Sequence, residues 1–240
     1  MPASHFILMI ESEPNRSETL ATRLVRLGVE PIRVPDLAEA IALVKSKQYA
    51  FGGVILPSDL PGKVVHKAMK SMRRREPILP AMAYGKIPDP KQAKLLRGAG
   101  VLLALWEGYD EGMLRFQLNR LVAGDTMPAV RGSRRAPTHT PIRVLVGGRE
   151  KSGVLYSLSE GGCFIESPRA SMDGARLKLL FELDQDAFEL DGVVVFANVP
   201  GNLQRPNLPL GMGIRFQNVG SGALERIQQF IQDRLNALEV

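Results

Sequence analysis

Five times in its first 122 residues the chain sets a short apolar run ahead of a stretch with helical apolar spacing. This recurrence constrains the fold more than any single motif, because each run must be buried on both faces and each helix on one. Phe6–Ile10 is the first run, and Leu20, Leu24 and Leu27 follow at helical spacing with Gly28 as a stop. Residues 31–34 predict a second strand, and Asp36 with Glu39 a helix start for residues 37–47. Residues 53–56, 78–84 and 101–105 predict the remaining strands, and residues 64–74, 90–97 and 111–122 the remaining helices. Residues 1–123 are therefore expected to form a doubly wound α/β domain with five parallel strands.

Residues 124–135 break the pattern with Gly124, Pro128, Ser133 and three arginines, and read as a linker. Beyond it the apolar period falls to that of strands. Residues 142–146, 154–157, 163–166, 177–183, 188–196 and 212–216 are six β candidates, separated by turn material such as Gly147-Gly148 and Asp173-Gly174. At this spacing residues 136–240 predict a small six-stranded antiparallel barrel. Ser221 then caps a terminal helix whose stripe is Leu224, Ile227, Ile231, Leu235 and Leu238. That stripe covers either the mouth of the barrel or the same helix in a second copy, which would make a homodimer.

Charge narrows the partner. The net charge is +6, with 18 Lys and Arg against 13 Asp and Glu before Arg131, and 13 against 12 from there on. Within the near-neutral second half, Arg131, Arg134, Arg135, Arg143, Arg149 and Lys151 crowd together with one acid, Glu150, among them. A basic edge on a neutral domain suits a compact anion better than a nucleic acid. No apolar run approaches the ~20 residues that span a bilayer, and Glu11 and Glu13 interrupt any secretory signal, so a cytoplasmic location without membrane insertion is expected. A lone Cys163 excludes an intramolecular disulfide and a Cys-based zinc site, and in its apolar setting it reads as a buried strand residue. His5, His66 and His139 are scattered, no serine has an activating partner in sequence, and no metal set is legible, so no catalysis and no cofactor are expected.

In the first half, Glu11-Ser12-Glu13-Pro14, Leu60-Pro61-Gly62 and Gly98-Ala99 resemble the landmarks of a response-regulator receiver domain over residues 1–122. The resemblance implies Mg²⁺ ligands after the first strand, a phosphoacceptor aspartate ending the third, a Ser or Thr after the fourth and a Lys after the fifth. Hard oxygen ligands and a cation are what an aspartyl phosphate needs. Here the acceptor position is Pro57, the Lys position is Leu105, and the Ser/Thr position falls near Met82. Asp59 is the nearest carboxylate to the missing acceptor. The expectation is a degenerate receiver, a pseudo-receiver that docks a protein partner. Arg73-Arg74-Arg75 ends a helix, either as a solvated terminus or as a docking patch.

In the second half, Arg131-Gly132-Ser133-Arg134-Arg135 resembles the RxxxR signature of the PilZ family, and Ser157-Leu158-Ser159-Glu160-Gly161-Gly162 falls where that family carries (D/N)xSxxG. Gly211-Met212-Gly213-Ile214-Arg215-Phe216 and the terminal helix are similar to its later landmarks. The resemblance implies a cyclic di-GMP site made of Arg131, Arg134, Arg135, Ser157, Ser159, Gly161 and Gly162. The chemistry agrees: a guanidinium fork bonds phosphate bidentately, matches guanine O6 and N7, and stacks on a purine. Ser157 departs from the family's Asp or Asn and offers one uncharged oxygen. The expected protein is a non-enzymatic, cyclic di-GMP-responsive signalling adaptor in motility, polarity or surface behaviour. The alternative is a degenerate pair of domains acting only through protein–protein contacts.

Overall fold

The computed structural model describes residues 6–122, 134–204 and 208–240. The chain divides into two compact units, one of residues 1–130 with residues 236–240, the other of residues 131–235.

The first unit alternates strand and helix: β1 (Phe6–Ile10), α1 (Pro14–Arg26), β2 (Glu30–Val34), α2 (Leu37–Ser46), β3 (Phe51–Pro57), α3 (Gly62–Arg73), β4 (Ala81–Gly85), α4 (Pro90–Gly98), β5 (Val101–Trp106) and α5 (Glu111–Val122). The strands form one parallel sheet in the order β2-β1-β3-β4-β5. Reversal of the strand order beside β1 sends helices to both faces. α2, α3 and α4 close one apolar core around Leu8, Val54 and Ala83, while α1 and α5 close the other around Met9, Ile55 and Leu105. Asp36 caps α2 as expected, its carboxylate accepting from the amides of Ala38 and Glu39. β4 starts at Ala81 rather than residue 78. Pro80 has no N–H to give a ladder, and Ile78 before it is 83 % exposed.

The second unit contains β6 (Arg135–Val146), β7 (Arg149–Ser159), β8 (Gly162–Glu166), β9 (Arg176–Leu183), β10 (Asp186–Val199), the two-residue β11 (Asn202–Leu203), β12 (Gly211–Gln217) and α6 (Ser221–Asn236). The strands run in the order β10-β12-β8-β7-β6-β9, and β9 pairs back with β10, which closes a six-stranded antiparallel barrel. β11 is a short ribbon on β10. Closure removes the free edges that an open sheet would expose. β6 begins seven residues before the strand read from its apolar alternation, because Pro137 and Pro141 mask a period that pairing with β7 still supports. Ile227, Ile231 and Leu235 of α6 lie in the barrel's core, so the stripe covers its own barrel. Leu238 does not belong to that stripe. α6 ends at Asn236, and residues 236–240 belong to the first unit.

Candidate functional site

Two places inherit expectations from the sequence, and each is built differently from the pattern that suggested it.

At the ends of β1, β3, β4 and β5, Pro57 pairs with Tyr84, and Tyr84 with Leu105. Tyr84 therefore stands opposite Pro57. Met82 lies two residues earlier, fully buried within the sheet. Glu11 is 7 % exposed, and its oxygens already have partners. One accepts the Glu13 amide at 2.9 Å, and the other accepts the Tyr84 hydroxyl and faces Arg16 at 3.6 Å. Burial first, then the Glu11 carboxylate, pushes the Tyr84 hydroxyl far above its ordinary pKa. The Arg16 guanidinium lies 5.4 Å from the centroid of the Tyr84 ring. Ser58, 3 % exposed, donates to the Lys86 carbonyl at 2.6 Å. Tyr84 and Arg16 thus flank the buried Glu11 carboxylate. Among the described residues, no group of three or more His, Cys, Asp or Glu is placed to hold a metal ion. Asp59 is exposed in the following loop.

Arg73 is neither a solvated helix end nor a docking patch. Its guanidinium donates to the carbonyls of Leu79, Ala99 and Gly100 at 2.8–3.1 Å, tying α3 to the turn before β5. Arg74 and Arg75 complete the charged terminus.

The second site forms on the barrel by strand pairing. One row of cross-strand partners, Ala136, Leu158, Cys163 and Ile214, points into the core. The neighbouring row of partners is Arg135, Ser159, Gly162 and Arg215, which alternation turns to the opposite face. Two residues further along lie Pro137, Ser157, Phe164 and Gly213. The signature arginine, both serines and the glycine are brought together across three strands, although up to 27 positions separate them.

Each member has a definite state. Ser159 is 2 % exposed, and its hydroxyl donates to the Gly162 carbonyl at 2.9 Å. Ser157 is 3 % exposed. Gly162 is fixed by packing, since a Cβ there would lie 2.1 Å from the Ile214 carbonyl oxygen. Gly161 is exposed, a Cβ on it would meet open space, and its carbonyl accepts the Phe216 amide. Arg134 is exposed just before β6, and Arg135 is half-buried. Arg131 lies outside the described residues. Cys163 is fully buried beneath this row, and burial pushes its thiol up to about 12 against the opposing charge of Arg135. Beside the row, Phe164 stacks on Phe196 at 5.8 Å across Gly213, and Tyr156 meets Phe164 edge-on at 5.9 Å.

Arg215 is the member that sequence reasoning missed. Its segment was legible only as a landmark. The available signal was the alternation Ile214-Arg215-Phe216, which puts an arginine on the face opposite Ile214.

Comparison with known proteins agrees with this second unit. Residues 129–233 match the PilZ domain, so this part of the chain is a PilZ domain. Among solved structures, the Bacillus subtilis inhibitor of motility (MotI/DgrA) is 16 % identical with a TM-score of 0.38, over 45 % of this chain and 52 % of its own, about half its length. The chemotaxis protein CheY4 of Vibrio cholerae is 18 % identical with a TM-score of 0.42, over 48 % of this chain and 97 % of its own. The receiver domain of a sensor histidine kinase of Pseudomonas aeruginosa, with a magnesium ion coordinated in its active-site cleft, is 20 % identical with a TM-score of 0.43, over 50 % and 99 %. No curated protein matches the chain in sequence. No helix among the described residues is long and apolar enough to cross a membrane.

Proposed function

We propose that this chain, whose second half is a PilZ domain, is a non-enzymatic signalling adaptor that binds cyclic di-GMP through Arg131, Arg134, Arg135, Ser157, Ser159, Gly161 and Gly162. Its receiver-like half acts as a non-phosphorylatable platform for a protein partner in motility, polarity or surface behaviour. One observation carries the ligand assignment: Arg135, Ser159 and Gly162 are consecutive partners in one outward row, with Ser157 in the next. Guanidinium groups at the edge of that row supply charge and a planar fork for phosphate or guanine. The exposed turn at Glu160 and Gly161 leaves room for a base to approach the backbone. Capture of the dinucleotide changes the surface that the partner reads.

A second reading, interaction without any dinucleotide, has its own support. Both serines are under 4 % exposed, and the Ser159 hydroxyl already has a partner in Gly162. Ser157 also lacks the charge of the family's aspartate. Losing one charge-assisted hydrogen bond weakens binding by roughly 1.5–3 kcal/mol, about ten- to a hundredfold.

Isothermal titration of cyclic di-GMP into the wild type, Arg135→Ala and Ser157→Asp separates the two. Heat that vanishes in Arg135→Ala and strengthens in Ser157→Asp supports the sensor. Absence of heat in all three at high micromolar ligand leaves the interaction protein.

A further inference from the structure

The parallel sheet of the first unit has two edges, β2 and β5. β2 carries Glu30, Pro31 and Arg33, residues that discourage edge pairing. The β5 edge is instead closed by residues 238–240. Leu103 and Glu239 form an antiparallel bridge, the Ala104 amide donates to the Leu238 carbonyl at 2.9 Å, and the Val240 amide donates to the Leu102 carbonyl at 3.2 Å. Leu238 and Val240 are 4 % and 8 % exposed, and Val240 joins the core that α2, α3 and α4 close.

Two side chains of α5 are arranged around this short strand. Gln117 is fully buried, and its amide nitrogen donates to the Ala104 carbonyl at 2.6 Å and to the Leu238 carbonyl at 2.7 Å. Its oxygen accepts from Arg120 at 3.2 Å, and Arg120 pairs with Glu239 at 3.0 Å. A buried amide is tolerated when its hydrogens are satisfied, and here one of the two goes to a carbonyl that the first 122 residues do not supply. Backbone, carbonyl and acid are each read by a separate group: Leu102 and Ala104, Gln117, and Arg120.

We propose that the β5 edge with Gln117 and Arg120 is a binding site for a short extended segment of apolar–acidic–apolar pattern, occupied here by the chain's own Leu238-Glu239-Val240. The main chain supplies affinity by strand addition, while Arg120 and the two buried apolar positions supply selectivity. The occupant follows α6 directly, so another strand competing for this edge releases the residues after that helix.

Leu238→Asp in the full chain vacates the edge. Hydrogen exchange over residues 102–105, read by mass spectrometry, should quicken by ~10-fold or more. A fluorescent Asn-Ala-Leu-Glu-Val peptide should bind this variant and bind wild type weakly, and the same peptide carrying Glu239→Arg should fail. Unchanged exchange, or equal binding of both peptides, overturns the proposal, as does no peptide binding by a variant with wild-type circular dichroism. Should Leu238→Asp unfold, Arg120→Glu and Glu239→Arg keep the proposal open to test: each alone should quicken exchange and the pair restore it. Failure of the pair to restore it overturns the proposal too.

Discussion

Tyr84 donates its phenolic hydroxyl to Glu11 across the ends of β4 and β1, on the carboxylate that a metal ion would need. The pair makes the end of β1 a closed polar contact. Tyr84→Phe should lower stability by about 1–3 kcal/mol, the usual result of leaving a buried acceptor one partner short. Urea denaturation measures this. Millimolar Mg²⁺ should leave the wild-type midpoint unchanged, because each Glu11 oxygen has a protein donor.

Gly161 and Gly162 are adjacent yet should respond oppositely. Gly162→Ala drives a Cβ into the Ile214 carbonyl and should destabilise the barrel by more than ~3 kcal/mol, in the range of severe core defects. Gly161→Ala meets open space and should change stability by less than ~0.5 kcal/mol. Only the Gly161 variant can report on ligand contact without confounding it with folding. Thermal melts of both variants check the contrast.

Arg215 shares the outward row with Arg135 and is exposed, so Arg215→Ala should leave the melting temperature nearly unchanged. If cyclic di-GMP occupies this row, titration should show about tenfold weaker binding in that variant, as for loss of one charge-assisted contact. Unchanged affinity would confine the ligand to the β6–β8 side.

Cys163 should make the barrel sensitive to alkali. Its folded thiol is pushed up to about 12, whereas the unfolded thiol ionises near 9.0. Between those values the unfolded state binds fewer protons than the native one, so stability falls as pH rises through that window and is complete below it. Denaturation at pH 8 and pH 10 should show the loss in wild type and less of it in Cys163→Ala. Native protein at pH 8 should not react with a thiol reagent until it unfolds.

Ile231 lies in the barrel core from α6, and Ile231→Ala should lower stability by about 2–5 kcal/mol, read by denaturant titration.

What sequence alone determined here was local. The five strand–helix repeats, the Asp36 cap and the Ile227–Ile231–Leu235 stripe depend on residues within a turn or two of each other, so their spacing carries the information. The proline at position 57, where the resemblance implies an acceptor aspartate, was equally plain, being a single identity. Tertiary structure decided what depends on pairing between distant segments. Strand register set Arg135 beside Ser159 and Gly162 and added Arg215, because partners across a sheet share a face whatever their separation in sequence. The same holds for Leu238. Its spacing from Leu235 fits a helix, but the open β5 edge and the Gln117 amide offered its backbone hydrogen bonds that a further helical turn would have forgone.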